Sequence, residues 1–377
     1  MKDVKIVIGA NYGDEGKGLA TRSFVKASTV PTLTVLANGT AQRGHTVDYG
    51  PKLRHVFHHF GSGTLDNSPT YFADTYMVHP MEFHREYIQD MAVFKFKPMI
   101  YCSPKALVIT PFDMFVDRAT QNLISVINGE REFGSCAYGS WCLMEGRVPL
   151  GRTLYTVRDF YEEPDWTTLL NRVWDDCLEV LHQRGIDFSQ TAEAKIFNKE
   201  AIIKNFINDL VFFFKNVYII TFDALWKRFN SFVFENGQGL MLDKNIDNDW
   251  HTTSNTGVLN PYNMLKDKDN YQAEVVYVTR SYETRHGIGP MGDEIDKNLI
   301  NKTMFDKTNV YNDGQGFLRY GYLDIEAQKA RIEKDFALTE GNSNFTKAIL
   351  VTHTNEFDCG LETKYYSDNP YGIKERS

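Results

Sequence analysis

The sequence predicts an α/β protein with one mostly parallel central sheet and helices on both faces. Two observations carry this prediction. Short β-branched segments recur along the chain, and longer amphipathic segments alternate with them. The 377 residues, of which 42% are hydrophobic, are enough to bury a sizeable core. We expect a single domain over residues 1–377, with a helical insertion around residues 100–215.

The first predicted element is a strand over residues 4–9, which stops at Gly9. Gly13, Gly16 and Gly18 follow, and then a helix-compatible stretch begins, so the chain opens as strand, loop and helix. Further strands are predicted over residues 33–37, 231–235, 275–281 and 348–352. Helices are predicted over residues 114–127, 165–183 and 200–214. The polar tail over residues 365–377 is expected to be loosely held.

Composition excludes several classes of function. The 41 basic and 49 acidic residues give a net charge of -8, which disfavours binding to nucleic acid through bulk charge. The longest apolar stretch, residues 210–220, is interrupted by Lys215 and Asn216 and is shorter than the roughly 20 residues that a membrane span needs. No signal peptide is evident. The five cysteines are scattered without a CxxC pair, which favours reduced thiols in the cytoplasm.

The most informative motif is the glycine-rich loop GANYGDEGKG, residues 9–18. Glycines let backbone amides approach phosphate oxygens, and Lys17 would place a cation against them. Gly18 follows the lysine, so the common GxxxxGKS or GxxxxGKT pattern does not fit. Asp14 would repel a phosphate, which makes sense if it performs chemistry or holds a metal. The structural alternative is a tight turn that carries surface charges.

Five segments together resemble the adenylosuccinate synthetase family. GDEGKG at residues 13–18 is typical of that family after a first strand, and the later segments occur in the family's order over roughly residues 3–356. They are GTAQRGHT at residues 39–46, HFGSG at 59–63, FENGQG at 234–239 followed by TTSNT at 252–256, and YETRHGIGP at 282–290.

The resemblance implies a ligase that works in two steps. The γ-phosphate of a nucleoside triphosphate is transferred to the 6-oxo group of a purine nucleotide, and the amine of L-aspartate then displaces it. The 6-oxo oxygen is a poor leaving group until it is phosphorylated. Phosphoryl transfer also needs cations, so the resemblance implies Mg²⁺ as cofactor. It further implies a homodimer.

The resemblance assigns a role to each matching residue. Asp14 is the base that takes the proton from purine N1, and it also contacts Mg²⁺ together with the carbonyl of Gly44. His45 stabilises charge on O6 and then acts as an acid toward the departing phosphate. Lys17 holds the transferring phosphoryl group. The other expected contacts to phosphate or donor nucleotide are Asn11, Gly13, Glu15, Gly16, Gly18, Thr46 and Asn355. The expected contacts to the acceptor nucleotide are Gln42, Ser135, Cys136, Arg147, Gln238 and Thr252, with Arg147 reaching the nucleotide phosphate of a neighbouring subunit.

Structural alternatives exist for the histidines. A lone histidine such as His45 is more often a satisfied structural residue, but its RGHT context favours function. His55, His58 and His59 could bind a metal, yet no carboxylate or cysteine partner of recognisable spacing accompanies them. We therefore expect these three to lie in a loop rather than to bind zinc.

The first departure from the family concerns the base of the triphosphate donor. The family has a threonine-lysine-leucine-aspartate strand end whose aspartate accepts hydrogen bonds from guanine, whereas residues 352–355 read THTN here. An amide both donates and accepts, so Asn355 suits adenine, while His353 replaces the lysine. The chain ends about twenty residues later, and most of the family's C-terminal guanine-binding region is missing. We expect ATP or dATP as donor, with retained GTP as the alternative.

Two further departures surround the other substrates. The family's arginine-rich loop binds aspartate and reaches the ribose 2′-hydroxyl, but only one arginine remains of four in residues 312–324. Fewer arginines weaken the preference for ribose, so a deoxynucleotide becomes a credible acceptor. The expected contacts to aspartate are Gly314, Gln315, Gly316 and Arg319, with Arg285 as a further candidate. Residues 134–140 also replace the family's phosphate loop.

A bacteriophage branch of the family shows the same kind of shortening and donor switch, and its members convert dGMP to 2-amino-2′-deoxyadenylosuccinate. The chain resembles that branch, which would place it in the cytoplasm of a host cell. Some members of the branch have serine at the position of Asp14, so IMP stays open as acceptor. A third alternative is a purine sensor without turnover, which would need neither a base nor an acid.

Overall fold

The computed structural model describes residues 1–128, 136–246, 250–302, 311, 316–361 and 363–376. Its strands are β1 (Lys2–Gly9), β2 (Thr32–Leu36), β3 (His45–Tyr49), β4 (Leu53–Phe57), β5 (Thr70–Phe72), β6 (Met77–Val78), β7 (Ile100–Cys102), β8 (Leu107–Val108), β9 (Val217–Ile219), β10 (Ser231–Glu235), β11 (Tyr271–Arg280), β12 (Glu283–Arg285), β13 (Glu294–Ile295), β14 (Arg319–Gly321), β15 (Phe345–Thr352), β16 (Tyr365–Tyr366) and β17 (Lys374–Glu375). Its α-helices are α1 (Lys17–Ala27), α2 (Pro80–Phe94), α3 (Pro111–Asn128), α4 (Val157–Glu162), α5 (Trp166–Gln183), α6 (Lys199–Asn216), α7 (Phe222–Trp226), α8 (Leu259–Leu265) and α9 (Ile325–Phe336).

A ten-stranded sheet organises the chain, in the order β17-β16-β15-β11-β1-β10-β2-β5-β7-β9. Every neighbouring pair from β16 to β9 is parallel, and β17 joins β16 antiparallel. The predicted mostly parallel sheet is confirmed. Each of the five predicted strands is present, and β11 and β15 begin three or four residues earlier than expected.

Alternating side chains of β1 show why both faces of the sheet are covered. Ile6 and Ile8 are fully buried in one apolar cluster, which includes Trp226 of α7. Val7 points to the other face and packs in a cluster with Ala20 of α1. A strand buried on both faces has no polar side, which is the pattern expected of a parallel sheet.

The helices predicted within residues 100–215 lie between β8 and β9 and pack in one apolar cluster with residues of the central sheet, such as Leu36 of β2 and Phe72 of β5. The predicted face of α5 is buried there, at Leu169, Leu170, Val173, Cys177, Val180 and Leu181. Asp165 begins this helix as expected of an N-cap, since its side chain accepts a hydrogen bond from the amide of Thr168. No helix of the described residues is both long and apolar enough to cross a bilayer.

The tail differs from its prediction. Tyr365 belongs to β16, which pairs with β15, and only 5% of its surface is exposed. Its ring packs edge-on against Phe24 at 5.5 Å between centroids. The expectation of a loosely held tail was therefore wrong at β16, because two aromatic residues within polar sequence are enough to anchor it.

Candidate active site

The candidate site lies where four adjacent strands end. β1 ends at Gly9, β10 at Glu235, β11 at Arg280 and β15 at Thr352, and these strands are parallel neighbours. Their carboxyl ends therefore meet at one edge of the sheet, which is where open α/β sheets bind ligands.

The glycine loop connects β1 to α1 and is organised by a carboxylate inside it. Oε1 of Glu15 accepts hydrogen bonds from the amides of Asn11 at 3.0 Å and Gly13 at 2.9 Å. Oε2 of Glu15 lies 2.8 Å from Nζ of Lys17, and both side chains are almost completely buried. Glu15 thus shapes the loop and holds the lysine, so a phosphate contact by Glu15 itself falls to its backbone amide.

Two glycines permit the close approach of the loop to the segment after β10. A Cβ atom at Gly9 would lie 2.6 Å from the carbonyl oxygen of Gln238, and one at Gly239 would lie 2.2 Å from that of Asn11. Any side chain at either position would push the two loops apart. The glycines of FENGQG and of the first loop therefore form one packed unit.

Asp14 is held in an unusual conformation at the mouth of the loop. Its φ of 61° is left-handed, which is uncommon for a residue with a Cβ, and Nε of Arg280 donates a hydrogen bond of 2.6 Å to its carbonyl oxygen. The side chain is partly exposed. Among the described residues, no hydrogen bond engages its carboxylate, which leaves that group available to a ligand.

His45 begins β3 and is bound to a buried carboxylate. Its Nδ1 lies 2.7 Å from Oε1 of Glu235, and the exposed fractions of the two side chains are 6% and 0%. Ser62 binds the same carboxylate through its hydroxyl and through its amide, the latter at 2.9 Å. Arg43 adds a cation 3.8 Å from Oε2 of Glu235. The imidazole is thus fixed in position with Nε2 left for a ligand.

The pKa values of this pair follow from their surroundings. Burial lowers the pKa of His45 to about 4, and the nearby cations Arg43 and Lys17 act in the same direction against the opposing effect of Glu235. Burial would raise the pKa of Glu235, but His45, Arg43 and Ser62 outweigh it and lower that pKa to about 2. At neutral pH the carboxylate is ionised and the imidazole is neutral, with its proton on Nδ1.

The residues expected near the acceptor nucleotide are divided in space. Gln238 has a φ of 55°, and its side-chain oxygen is buried without a hydrogen-bond partner among the described residues. A Cβ atom at Gly39 would lie 3.5 Å from that oxygen, so Gln238 faces the segment that leads to His45. Burial raises the pKa of the Cys136 thiol, and the nearby side chain of Gln42 acts in the opposite direction. Ser135 lies outside the described residues.

Thr252 and Asn355 lie on loops. The amide of Thr252 donates to the carbonyl of Leu242 at 2.8 Å, and its side chain is partly exposed. Asn355 is exposed in the turn after β15. That turn abuts the glycine loop, because the hydroxyl of Thr352 donates to the carbonyl of Glu15 at 2.8 Å. His353 has a φ of 60° at the same corner.

Of the residues expected to bind aspartate, Arg285 and Arg319 lie in a small antiparallel sheet of β12, β14 and β13. Gly314 and Gln315 lie outside the described residues, and Gly316 lies just before β14. Arg319 pairs in register with Arg285, but its guanidinium contacts both carboxylate oxygens of Glu294, at 3.0 and 2.5 Å. The expected contact of Arg319 with aspartate would have to replace this ion pair.

The placement of Arg147 contradicts its expected role. Only 1% of Arg147 is exposed, and its guanidinium lies 3.2 Å from Asp113 within the helical region. A side chain buried in this ion pair does not present itself to a neighbouring subunit. Arg147 is therefore a structural residue of the helical region, and the expectation that it reaches a neighbouring subunit's nucleotide was wrong.

The three neighbouring histidines have separate partners. Nε2 of His55 lies 2.9 Å from Asp90, and Nδ1 of His58 lies 2.7 Å from the carbonyl of Arg43. His59 accepts a hydrogen bond from the amide of His79 at 2.9 Å. The nearby carboxylate of Glu86 accepts hydrogen bonds from the backbone amides of His58 and His59. His58 and His59 lie in the turn that leads to Ser62, but His55 lies within β4, so the expectation that all three lie in a loop was wrong for His55.

The oxygen atoms at Asp14 and Gly44 suit Mg²⁺. A carboxylate and a backbone carbonyl are the hard ligands that Mg²⁺ prefers, and Mg²⁺ keeps waters and phosphate oxygens in its remaining positions. The carboxylate of Asp14 is uncommitted and Gly44 is exposed. A Cβ atom at Gly18 would lie 2.9 Å from the carbonyl of Thr46, so the segment after Gly44 packs directly on the glycine loop.

Sequence reasoning missed Glu235, Ser62 and Arg43 as parts of the site. Glu235 is the last residue of its strand and directly follows three apolar residues, and a carboxylate at the carboxyl end of a parallel strand was the available signal. Ser62 and Arg43 lie inside segments that were recognised, yet nothing in their spacing shows that they converge on Glu235.

The fold and these residues define an α/β enzyme that binds nucleotide phosphates at a glycine loop beside an acid–base pair. The family model for adenylosuccinate synthetase matches residues 6–338, and the chain belongs to that family. It is therefore a ligase that forms carbon–nitrogen bonds.

Individual relatives are distant. The chain is 24% identical to the adenylosuccinate synthetase of Thermoplasma volcanium over 94% of its own length and 79% of the relative's. It is 26% identical to the adenylosuccinate synthetase of Xanthomonas oryzae pv. oryzae, over 87% of its own length and 73% of the relative's.

Two solved structures share the fold. The fully ligated adenylosuccinate synthetase of Plasmodium falciparum superposes with a TM-score of 0.70 at 20% identity, over 93% of this chain and 77% of that one. The succinoaminodeoxyadenylate synthetase (PurZ) of cyanophage S-2L, bound to dGMP and dATP as an energy donor, gives 0.61 at 13% identity, over 100% and 95%.

Proposed function

We propose that the chain joins L-aspartate to C6 of dGMP, forming 2-amino-2′-deoxyadenylosuccinate, with ATP or dATP as the phosphoryl donor. The observation that carries the chemistry is the grouping of Asp14, Lys17 and the His45–Glu235 pair around one glycine loop. The likeness to an enzyme that binds dGMP and dATP supports the choice of substrates. The adenine-compatible Asn355 and the loss of loop arginines support it further.

We assign the steps of this reaction to these groups as follows. Asp14 takes the proton from N1, so that O6 of the purine becomes nucleophilic. O6 then attacks the γ-phosphorus of ATP or dATP, and the nucleoside diphosphate leaves. Lys17 stabilises the charge on the transferring phosphoryl group. Bound Mg²⁺ would be held by Asp14 and the Gly44 carbonyl, and it would neutralise the donor's phosphate charge. The amine of aspartate then attacks C6, and phosphate departs with the former O6.

His45 is suited to assist the departure of phosphate. A neutral imidazole with its proton on Nδ1 leaves Nε2 directed away from Glu235, where the phosphoryl dianion would raise its affinity for a proton. Glu235 stabilises the imidazolium that results. The pair therefore lets Nε2 of His45 take up the proton that the attacking amine of aspartate releases and donate it to the departing phosphate, which a purine sensor would not require.

The test is product analysis by mass spectrometry. Purified protein, L-aspartate, Mg²⁺ and ATP are mixed in parallel with dGMP, GMP, IMP and dIMP. A succinylated product from dGMP and not from IMP is the expected result. Product from IMP alone would contradict the proposal and support the alternative, an adenylosuccinate synthetase with a changed donor, with which the retained Asp14 is compatible.

A further inference from the structure

Two arginines beside the glycine loop, the buried Arg285 and the partly exposed Arg331, lack a carboxylate counter-ion among the described residues. Arg285 and Arg331 form no ion pair with a described carboxylate, and the Nε atom of each is buried without a hydrogen-bond partner among the described residues. Other buried arginines are paired, for example Arg22 at 2.8 Å from Asp66. Taking a guanidinium out of water is costly unless an anion compensates it, so this arrangement points to an anionic ligand.

Arg331 reaches the loop from helix α9. Its Nη2 donates a hydrogen bond of 2.7 Å to Oδ1 of Asn11. Gln328, one turn earlier on the same face, donates to Oγ1 of Thr279 at 2.8 Å and so fixes the helix against the sheet. The guanidinium therefore stands at the edge of the glycine loop.

Tyr12 links the two arginines. The guanidinium of Arg285 lies over its ring, 4.5 Å from the centroid, and the Tyr12 hydroxyl donates to the carbonyl of Pro290 at 2.9 Å. Both arginines act on the pKa of Tyr12, which burial raises above its ordinary value. The two cations thus face the same residue of the loop from different elements.

The nearby acids do not neutralise Arg331. Glu15 is already bound to Lys17 and to loop amides, and Asp324 caps α9 by accepting from the amide of Ala327 at 2.9 Å. Glu283 is the carboxylate that acts most strongly on Arg331, yet burial raises the pKa of Glu283 and weakens its value as a counter-ion. Burial also lowers the pKa of Arg331, which an anionic ligand would oppose.

The position of Arg285 and Arg331 favours a carboxylate rather than a phosphate as their ligand. Phosphates are expected at the start of α1 and at Lys17. Arg285 lies on β12, directly opposite Arg319 on β14, the strand that follows the loop to which family resemblance assigns aspartate. In the described part of that region, Arg319 is already bound in an ion pair with Glu294.

We propose that Arg331, together with Arg285, binds a carboxylate of the amino-acid substrate and takes over from the arginines that the loop lacks. This inference rests on the proposed function for the identity of that substrate. An arginine on a helix is more rigidly placed than one on a loop, and its planar fork matches a carboxylate.

The test compares wild type with Arg331→Met, Arg331→Lys and the control Lys329→Met, which changes a half-exposed lysine of the same helix. The affinity for L-aspartate is measured by calorimetry in the presence of dGMP and a non-hydrolysable ATP analogue. The KM values for L-aspartate, dGMP and ATP are measured separately. Arg331→Met should weaken the binding of L-aspartate by about 10- to 100-fold and leave the nucleotide KM nearly unchanged. Arg331→Lys should have an intermediate affinity for L-aspartate. The control should match wild type.

Unchanged aspartate affinity in Arg331→Met would overturn the inference. A parallel rise in nucleotide KM would also overturn it, since Arg331 would then act only by holding the glycine loop through Asn11. The two proposals fail separately. A wild type that binds aspartate without converting dGMP refutes the proposed function alone, and a wild type that converts dGMP while Arg331→Met keeps the wild-type aspartate affinity refutes this inference alone.

Discussion

Nδ1 of His45 lies 2.7 Å from a carboxylate oxygen of Glu235, and Glu235 is completely buried. β3 and β10 supply the two residues, so the contact depends on the tertiary fold rather than on local sequence. Ser62 and Arg43 compensate the buried charge of Glu235. The consequence is an imidazole with a fixed tautomer, a fixed orientation and an ionised partner ready to stabilise its protonated form.

Replacing Glu235 by Gln should slow turnover more than it weakens substrate binding. Glutamine keeps the size of the side chain and an oxygen that can accept from Nδ1, but it removes the charge that stabilises the imidazolium. We expect kcat to fall about 10- to 100-fold with nucleotide KM within a factor of about three. Steady-state kinetics tests this, with the exposed Glu162→Gln as matched control. A Glu235→Gln enzyme with full kcat would remove Glu235 from the mechanism.

Replacing Asn355 by Asp should shift donor preference from ATP toward GTP. A carboxylate can only accept hydrogen bonds, which suits the donors on guanine and leaves adenine's ring acceptor unpaired. The shift in relative kcat/KM should correspond to about 1–3 kcal/mol. Competition between the two triphosphates measures it. An unchanged ratio would show that the turn after β15 does not contact the base.

Replacing Gly239 by Ala should damage the site through backbone contact. The new Cβ atom would lie 2.2 Å from the carbonyl oxygen of Asn11, and neither backbone can move without opening the glycine loop. We expect a loss of about 3 kcal/mol in the free energy of unfolding, together with weaker nucleotide binding. Gly185→Ala is the control, because its φ of 69° strains alanine while nothing lies within 4 Å. It should cost only about 1–2 kcal/mol. Equal losses in the two variants would refute the packing argument.

The pH dependence of stability should report His79, which begins α2 by accepting a hydrogen bond from the amide of Glu82. Burial lowers its pKa from 6.5 to about 3, so the unfolded chain binds a proton between these values that the folded chain does not. Stability therefore falls as pH falls below 6.5. His79→Asn keeps an N-cap acceptor and removes the titration.

Between pH 6.5 and 4.5, wild type should lose about 2–3 kcal/mol more than His79→Asn. Denaturant unfolding at several pH values measures the difference. Identical slopes in the two proteins would mean that His79 is accessible to protons in the folded state.

Prediction from sequence succeeded where a segment carries its own pattern. β1 and β10 appear in the sequence as short apolar segments that are buried on both faces, and α5 shows the helical periodicity of its buried face. The three strands at one end of the sheet, β5, β7 and β9, were not predicted, because three residues are too few for a pattern and their pairing comes from the neighbouring strands.

The site shows the same limit. Asp14, Lys17 and His45 lie in recognisable motifs, whereas Glu235 and Arg331 become meaningful only when distant elements pack together. The prediction for Arg147 failed for the opposite reason, since sequence alone does not distinguish a buried structural arginine from one that reaches a ligand.

The most direct test of the account follows the oxygen on C6. dGMP labelled with ¹⁸O at the 6-position is incubated with the enzyme, L-aspartate, Mg²⁺ and ATP, and the released inorganic phosphate is analysed by mass spectrometry. If O6 attacks the γ-phosphorus and later leaves with it, each phosphate should carry one ¹⁸O atom and the succinylated nucleotide should carry none at C6. Unlabelled phosphate would contradict a 6-phosphoryl intermediate and with it the roles given to Asp14 and His45.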